Sequence, residues 1–476
     1  MIKQIADVTR EDFIMFIGRE KELDSLDRLY KSNRFEFAVI YGRRRVGKTA
    51  LINEFTKDKP TISFTGVETN ERQNLENFSK CIFEYFTSGP VSISFDSFQL
   101  ALEYVFDLAK EERIVLVIDE YPYVARSSKS LASTLQLLID KYKDNSKLFI
   151  ILCGSSMSYM EDQVLAYKAP LYGRRTAQFK IQPFEFREAC QYFSYLPDEC
   201  KALAYGIVGG TPQYLLQLDD RLSIEENIKN TYLNTTSSIY EEPQNLLKQE
   251  VREPAIYNAI IGAIATGHSK MSQISSKTQE DTSVCATYIK NLISLGIVKR
   301  EVPYGEDSAR KTIYSIEDNM FRFWYRFVPE NTSIIARGAT DLAYKRIEPN
   351  LSQYMGGVFE EICKQYLWNL MLSGKCEIDF VDIGRWWGTN SRTRQQVEID
   401  IMGTADKNTA LFGECKWTNE KVDLGVLEGL VEKSQMFHFE NKHYYIFAKS
   451  GFTKGCVDKA KEMGNVTLVR YKDMIP

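Results

Sequence analysis

The stretch Phe35 to Thr49, FEFAVIYGRRRVGKT, constrains the chain more than any other. An apolar, β-rich run ends at Gly42, and a Lys48-Thr49 pair opens an expected helix. Gly42, Gly47, Lys48 and Thr49 fill the fixed places of G-x-x-x-x-G-K-[ST]; backbone N–H groups from Arg43 to Ala50 (Arg43, Arg44, Arg45, Val46, Gly47, Lys48, Thr49, Ala50) are expected to cradle phosphate oxygens. Lys48 would reach the outer phosphates of a nucleoside triphosphate, and the Thr49 hydroxyl would hold Mg²⁺. Such a match arises by chance in roughly one or two chains per hundred of this length. A strand before it and a helix after it make chance rarer still.

A second acidic signal supports this reading. Arg113 to Glu120, RIVLVIDE, is a continuous apolar run ending in two carboxylates. Such a run suits a strand buried on both faces of a parallel sheet, whose C-terminal end lies where ligands bind. Asp119 would hold Mg²⁺ through water, and Glu120 would polarise the attacking water. A third core strand, Lys147 to Cys153, precedes Gly154-Ser155-Ser156, and Ser155 is the candidate for sensing the terminal phosphate. Arg174 and Arg175 follow in a turn, where one of them would act as an arginine finger, in its own site or a neighbour's. Gly209-Gly210-Thr211-Pro212 marks a turn between helices. Before all of these, Phe16-Ile17-Gly18-Arg19-Glu20 either opens an ordinary amphipathic helix or flanks the base of the nucleotide.

These segments together resemble the archaeal-type P-loop ATPases, relatives of the AAA+ and STAND groups. FIGRE (16–20), YGRRRVGKT (41–49), VIDEYPY (117–123), CGSS (153–156), LYGRR (171–175) and GGTPQYL (209–215) carry the resemblance. It implies an ATP-hydrolysing core with a helical lid, a role in trans for Arg174 or Arg175, and Pro212 near the nucleotide.

The 476 residues suit about three domains. The net charge of −4 advertises no global affinity for nucleic acid, so DNA contact needs a local basic patch. Nine scattered cysteines without a C-x-x-C pair suggest reduced thiols, and three histidines argue against a His-built metal site. No apolar run reaches the length of a membrane span, and MIKQIADVTR lacks a signal-peptide core. A cytoplasmic protein is the expectation.

The second half reads as two further modules. Between about 250 and 328, three helices and two short strands form a winged-helix pattern, with Thr282 to Ile293 as recognition helix. Lys290, Lys299, Arg300, Arg310 and Lys311 are the candidate phosphate contacts, interleaved with Glu280, Asp281, Glu301, Glu306 and Asp307. The aromatic run Asn319 to Asn331 reads as core or a wedge between domains rather than a platform for bases.

From about 340 on, the order is helix, three strands (the first expected at CEIDFVDIG), helix, strand, helix and strand, which suits a restriction-endonuclease-like core. Asp400 and Glu414 would bind Mg²⁺, hard cations preferring oxygen ligands. Lys416 would stabilise the attacking hydroxide or the phosphorane-like charge, and Glu360 on the first helix would add an acidic ligand. Glu414 and Lys416 stand two apart on a strand and so share a face. This half is similar to a C-terminal domain of unknown function with PD-(D/E)XK character, on the residues GVFE (357–360), WWG (386–388), EID (398–400) and GECKW (413–417). The similarity implies a metal-dependent phosphodiesterase ancestry.

The fold class expected is thus α/β multidomain: a P-loop AAA+ ATPase core (1–165), a helical lid (166–245), a winged helix (250–328) and a PD-(D/E)XK nuclease-like α/β domain (340–476). The expected function is ATP-controlled, Mg²⁺-dependent cutting of DNA by a self-associating protein. The alternative is a nucleotide-state signalling switch or DNA-bound regulator with an inactive nuclease fold.

Overall fold

A computed structural model describes residues 16–87, 93–306, 309–391 and 393–475. The N-terminal decapeptide and Asp307, both used above, lie outside the described residues. The chain divides into two compact units, the first ending at Pro183 and the second starting at Phe184.

The first unit is built on five strands: β1 (Glu36–Tyr41), β2 (Thr61–Thr65), β3 (Val115–Asp119), β4 (Phe149–Gly154) and β5 (Ala177–Lys180). All pairings are parallel, in the order β2-β3-β4-β1-β5. β1, β3 and β4 are buried along their whole length, as their unbroken apolar runs require. Leu26, Leu51, Ile52 and Phe55, from the helices Glu20–Lys31 and Lys48–Thr56, close the core over Ala38, Ile40 and Ile151. The sheet runs past residue 165, where the sequence reading ended the core. β5 was not anticipated, because a four-residue edge strand with alternating exposure carries almost no sequence signal.

The second unit opens with short helices between Phe186 and Glu250. The helices Pro254–Ala265, Met271–Thr278 and Thr282–Ser294 follow, with an antiparallel hairpin of β6 (Val298–Glu301) and β7 (Ile313–Ile316). The aromatic run forms the helix Asn319–Phe327, with Phe321, Phe323 and Trp324 buried and the Trp324 Nε1–H donating to Tyr240 O at 2.7 Å. It is core, as the sequence suggested.

The long helix Leu351–Leu372 then leads into β8 (Ile383–Thr389), β9 (Gln396–Thr404), β10 (Thr409–Lys416), β11 (Asn441–Ala448) and β12 (Val466–Arg470). The order is β12-β11-β10-β9-β8. β8, β9 and β10 pair antiparallel, while β10, β11 and β12 pair parallel through the helices Leu424–Ser434 and Lys454–Met463. The first strand lies later than expected. The acid-rich stretch before it stays irregular, with Asp382 Oδ1 accepting from Ile383 N, and the strand forms on the β-favouring Trp386-Trp387 pair.

Candidate functional site

The first site forms where the C-terminal ends of β1, β3 and β4 meet. β1 is flanked by β4 and β5, so its end emerges inside the sheet rather than at an edge. A Cβ on Gly42 would stand 2.5 Å from the Ile181 carbonyl oxygen, so only glycine lets the loop pass. Arg45 and Gly47 take left-handed backbone (φ 74° and 88°), which turns the loop back onto the helix Lys48–Thr56. That helix presents its N-terminal N–H groups and positive dipole end to the loop's concavity. Lys48 is buried, and its ammonium donates to the carbonyls of Gly42 and Arg43, both at 2.9 Å.

The acidic groups lie beside it. Thr49 Oγ1 donates to Asp119 Oδ2 at 2.8 Å, joining residues 70 positions apart. Asp119 Oδ1 accepts from Glu120 N at 2.8 Å. Glu120 itself sits in left-handed backbone (φ 48°), and its two carboxylate oxygens accept from Ser155 Oγ at 3.0 and 2.9 Å. Ser155 therefore holds the candidate catalytic carboxylate. Cys153, below these acids, has its thiol pushed well up by burial and then by the Asp119 charge, so it stays neutral.

Two expectations are refined. The FIGRE turn braces the loop: the Arg19 guanidinium donates to Val46 O at 3.2 Å and Gln182 O at 2.5 Å. Arg174 is committed to its own unit, paired with Asp140 through Nε–Oδ1 (3.0 Å) and Nη2–Oδ2 (2.6 Å). Arg175 makes a longer contact with Leu165 O at 3.5 Å and lies 5.5 Å from the Tyr172 ring. Pro212 belongs to the second unit, in the first turn of the helix Pro212–Leu215. This geometry fits a nucleoside triphosphate: a loop tight enough to exclude a Cβ, a buried ammonium, and hydroxyl and carboxylate oxygens suited to a hard cation.

The second site lies where β9 and β10 part. The pairing of β9 with β10 ends at Gly413 opposite Ile401, and Asp400 and Glu414 follow at once, beside an irregularity in the pairing of β9 with β8. Asp400 Oδ2 accepts from Cys415 N at 2.8 Å. Lys416, two residues on, donates to Glu414 Oε1 at 2.6 Å. Lys433, on the helix packed over β10, donates to Glu414 Oε2 at 2.9 Å. Sequence reasoning missed Lys433, since one lysine on an amphipathic helix looks like any other solvated charge. Cys415 points the other way, its thiol meeting that of Cys363 on the helix Leu351–Leu372.

The electrostatics are those of crowded acids. Asp400 is pushed up to about 6, first by burial and then by the charge of Glu414. Glu360 rises to about 7 through burial and the charge of Asp400. Burial opposes the Lys416 charge, but Glu414 outweighs it and holds that ammonium above its ordinary range. Asp400, Glu414 and the Cys415 carbonyl offer oxygen donors suited to Mg²⁺. Among the described residues, however, no three His, Cys, Asp or Glu side chains gather as a ligand set. Glu360 therefore approaches Asp400 without completing such a set.

Two of the five candidate phosphate contacts in the three-helix module are spent within the protein. Lys299 pairs with Glu361 at 2.8 Å, and Lys311 with Glu306 at 2.7 Å. Among the described residues no helix is long and apolar enough to cross a membrane.

Two family models match the chain. One, an ATPase domain predominantly from Archaea, spans residues 16–218. The other, described as archaeal and bacterial proteins of unknown function, spans residues 324–426. An uncharacterised protein of Methanocaldococcus jannaschii is 31% identical over 465 residues, covering 96% of this chain and 100% of that protein. An uncharacterised ATP-binding protein of Pyrococcus abyssi is 25% identical over 265 residues, covering 50% of this chain and 81% of that protein. Among solved structures, a Walker-type ATPase of Pyrococcus abyssi aligns with a TM-score of 0.51 at 21% identity, covering 67% of this chain and 97% of that one. That likeness is one of fold.

Proposed function

Because this chain belongs to the family of P-loop ATPases found predominantly in Archaea, joined to a C-terminal domain of archaeal and bacterial proteins of unknown function, we propose that ATP hydrolysis in its first unit governs Mg²⁺-dependent cutting of DNA by its second. The observation that carries the second half is the cluster of Asp400, Glu414 and Lys416 on neighbouring strands: Asp400 accepts from Cys415 N, its acidity is weakened by burial and then by the Glu414 charge, and Lys416 donates to Glu414.

In the first unit, the loop N–H groups and Lys48 bind and orient the phosphates. Thr49 and Asp119 hold Mg²⁺, and Glu120 aligns and polarises the attacking water. Ser155 fixes the Glu120 carboxylate, so hydrolysis requires that hydrogen bond to yield or to point the carboxylate at the water. In the second unit, Asp400 and Glu414 hold the cation. Lys416 stabilises charge at the phosphate under attack, which needs its ammonium to leave Glu414. Mg²⁺, when bound, neutralises phosphate charge and lowers the pKa of its water at both sites. The three helices and hairpin support a winged helix in which Thr282–Ser294 meets DNA, with Lys290, Arg300 and Arg310 as its contacts.

A second reading has one observation behind it. Glu414 is held between two lysines, Lys416 and Lys433, which suits a retired site whose cations replaced its metal. The protein is then a nucleotide-controlled switch. A supercoiled-plasmid assay with Mg²⁺ separates the two. Wild type should nick the plasmid and Lys416→Ala should not; no nicking with any divalent cation leaves the switch. For the ATPase, Lys48→Ala should abolish hydrolysis, and unchanged turnover would refute the phosphate-loop assignment.

A further inference from the structure

Strands β10, β11 and β12 run parallel, so their C-terminal ends lie side by side. The loops leaving those ends line a cleft of about 580 Å³. Its charged wall carries Lys421, Lys449 and Lys472, with Arg470 beside them. Arg470 is neutralised in a two-point pair with Asp473, at 2.9 Å through each nitrogen. The facing wall carries Asp198 and Glu199, of which Asp198 pairs with Lys201 at 2.8 Å. None of the three lysines forms a salt bridge among the described residues, and the cleft is left net positive.

The loops are held in place before any ligand arrives. Val422 N donates to Gly451 O, and Thr453 N to Val422 O, both at 2.9 Å. Ser450 Oγ donates to Thr418 O at 2.7 Å, and the Lys449 ammonium to Asn419 Oδ1 at 2.6 Å. Tyr471 OH donates to Asp198 O at 2.7 Å and accepts from Ala202 N at 3.0 Å, tying the two walls together. The cleft begins where the second site ends, since Lys449 N donates to Lys416 O at 3.0 Å.

We propose that this cleft binds the phosphodiester backbone of DNA and leads it to Glu414 and Lys416. Ammonium groups on braced loops suit phosphate oxygens, while Tyr471 is buried and Phe452 half-buried, which leaves little to stack on a base. Binding is therefore independent of base sequence. The destination of the strand rests on the nuclease reading; the binding itself does not.

The test measures binding of the full chain to a fluorescein-labelled DNA duplex by anisotropy, in EDTA so that nothing is cut. The triple variant Lys421→Glu/Lys449→Glu/Lys472→Glu should bind at least tenfold more weakly at about 0.1 M salt. The milder triple glutamine variant, checked for a wild-type circular dichroism melt, should lower the slope of log K against log[salt] by about 2 to 3. Wild-type affinity and slope in both variants would overturn the proposal, as would tighter binding of an RNA duplex of the same sequence. The two readings fail separately. If wild type cuts nothing but the cleft variants lose DNA, the cleft stands and the nuclease falls. If the cleft variants bind and cut as wild type does, the cleft falls alone.

Discussion

Glu36 is the first residue of β1, an interior strand of its sheet, and its carboxylate is buried at 0% exposure. Burial alone would raise its pKa, but hydrogen bonds from Thr176, Ser32 and Arg34 outweigh it and hold the group below its ordinary value of 4.5. A depressed carboxylate stabilises the fold above its unfolded pKa and loses that contribution as pH falls through the folded value. Glu36→Gln should therefore unfold at lower urea than wild type at pH 7. The gap should narrow only below pH about 4.5, and a gap constant from pH 7 to pH 3 would refute the account. Nothing in FEFAVIY announced this acid as buried, because its partners come from a preceding turn and from a segment 140 residues later. Thr49 and Asp119 also meet across a long separation, 70 residues, and the sequence offered both as Mg²⁺ holders. Asp119 ends a strand and Thr49 opens a helix, each within a recurring motif where chemistry restricts the choice of residue. Lys433 shows the opposite case, for its role depends on the rotation of one helix over β10, which spacing does not reveal.

At the scale of elements, two glycines separate packing from propensity. A Cβ on Gly210 would stand 1.7 Å from the Phe184 carbonyl oxygen, a backbone atom that cannot swing aside. Gly210 O also accepts from Phe184 N at 2.7 Å, so the Gly-Gly turn locks the second unit's first residue to its helices. The resemblance tied this turn to the nucleotide; its contact with Phe184 is one of packing. Gly262, inside the helix Pro254–Ala265, has nothing within 4 Å of its would-be Cβ. Gly210→Ala should cost at least about 2 kcal/mol by overpacking. Gly262→Ala should gain about 0.5–1 kcal/mol from helix propensity. Urea midpoints of the two variants should move in opposite directions, and a rise in both would refute the overpacking at Gly210, as a fall in both would refute the propensity gain at Gly262. Long helices and buried strands were read from the sequence because their periodicity is set by burial. The edge strand β5 and the start of β8 were not, because pairing with neighbours decides them.

For the molecule as a whole, the open question is whether one chain completes its own ATPase site. Arg174 has both edges of its guanidinium engaged within the unit, with Asp140 on one side and Pro170 O at 3.0 Å on the other. A finger reaching into a neighbour would have to break that pair first, whereas Arg175 forms no salt bridge among the described residues and has a long contact to Leu165 O and a place beside Tyr172 to give up. Arg174→Ala should thus act on stability, by about 0.5–1 kcal/mol for a half-exposed ion pair, and little on turnover. Arg175→Ala should lower ATP turnover by about a thousandfold with an unchanged melting temperature. If Arg175 acts in trans, Lys48→Ala and Arg175→Ala chains are each inactive but complementary. In a head-to-tail assembly of an equal mixture, about a quarter of the sites pair an intact loop with an intact finger. Turnover of the mixture should then recover to about a quarter of wild type. No recovery, with Arg175→Ala still inactive alone, would place the arginine in its own chain's site and remove the reason for shared sites.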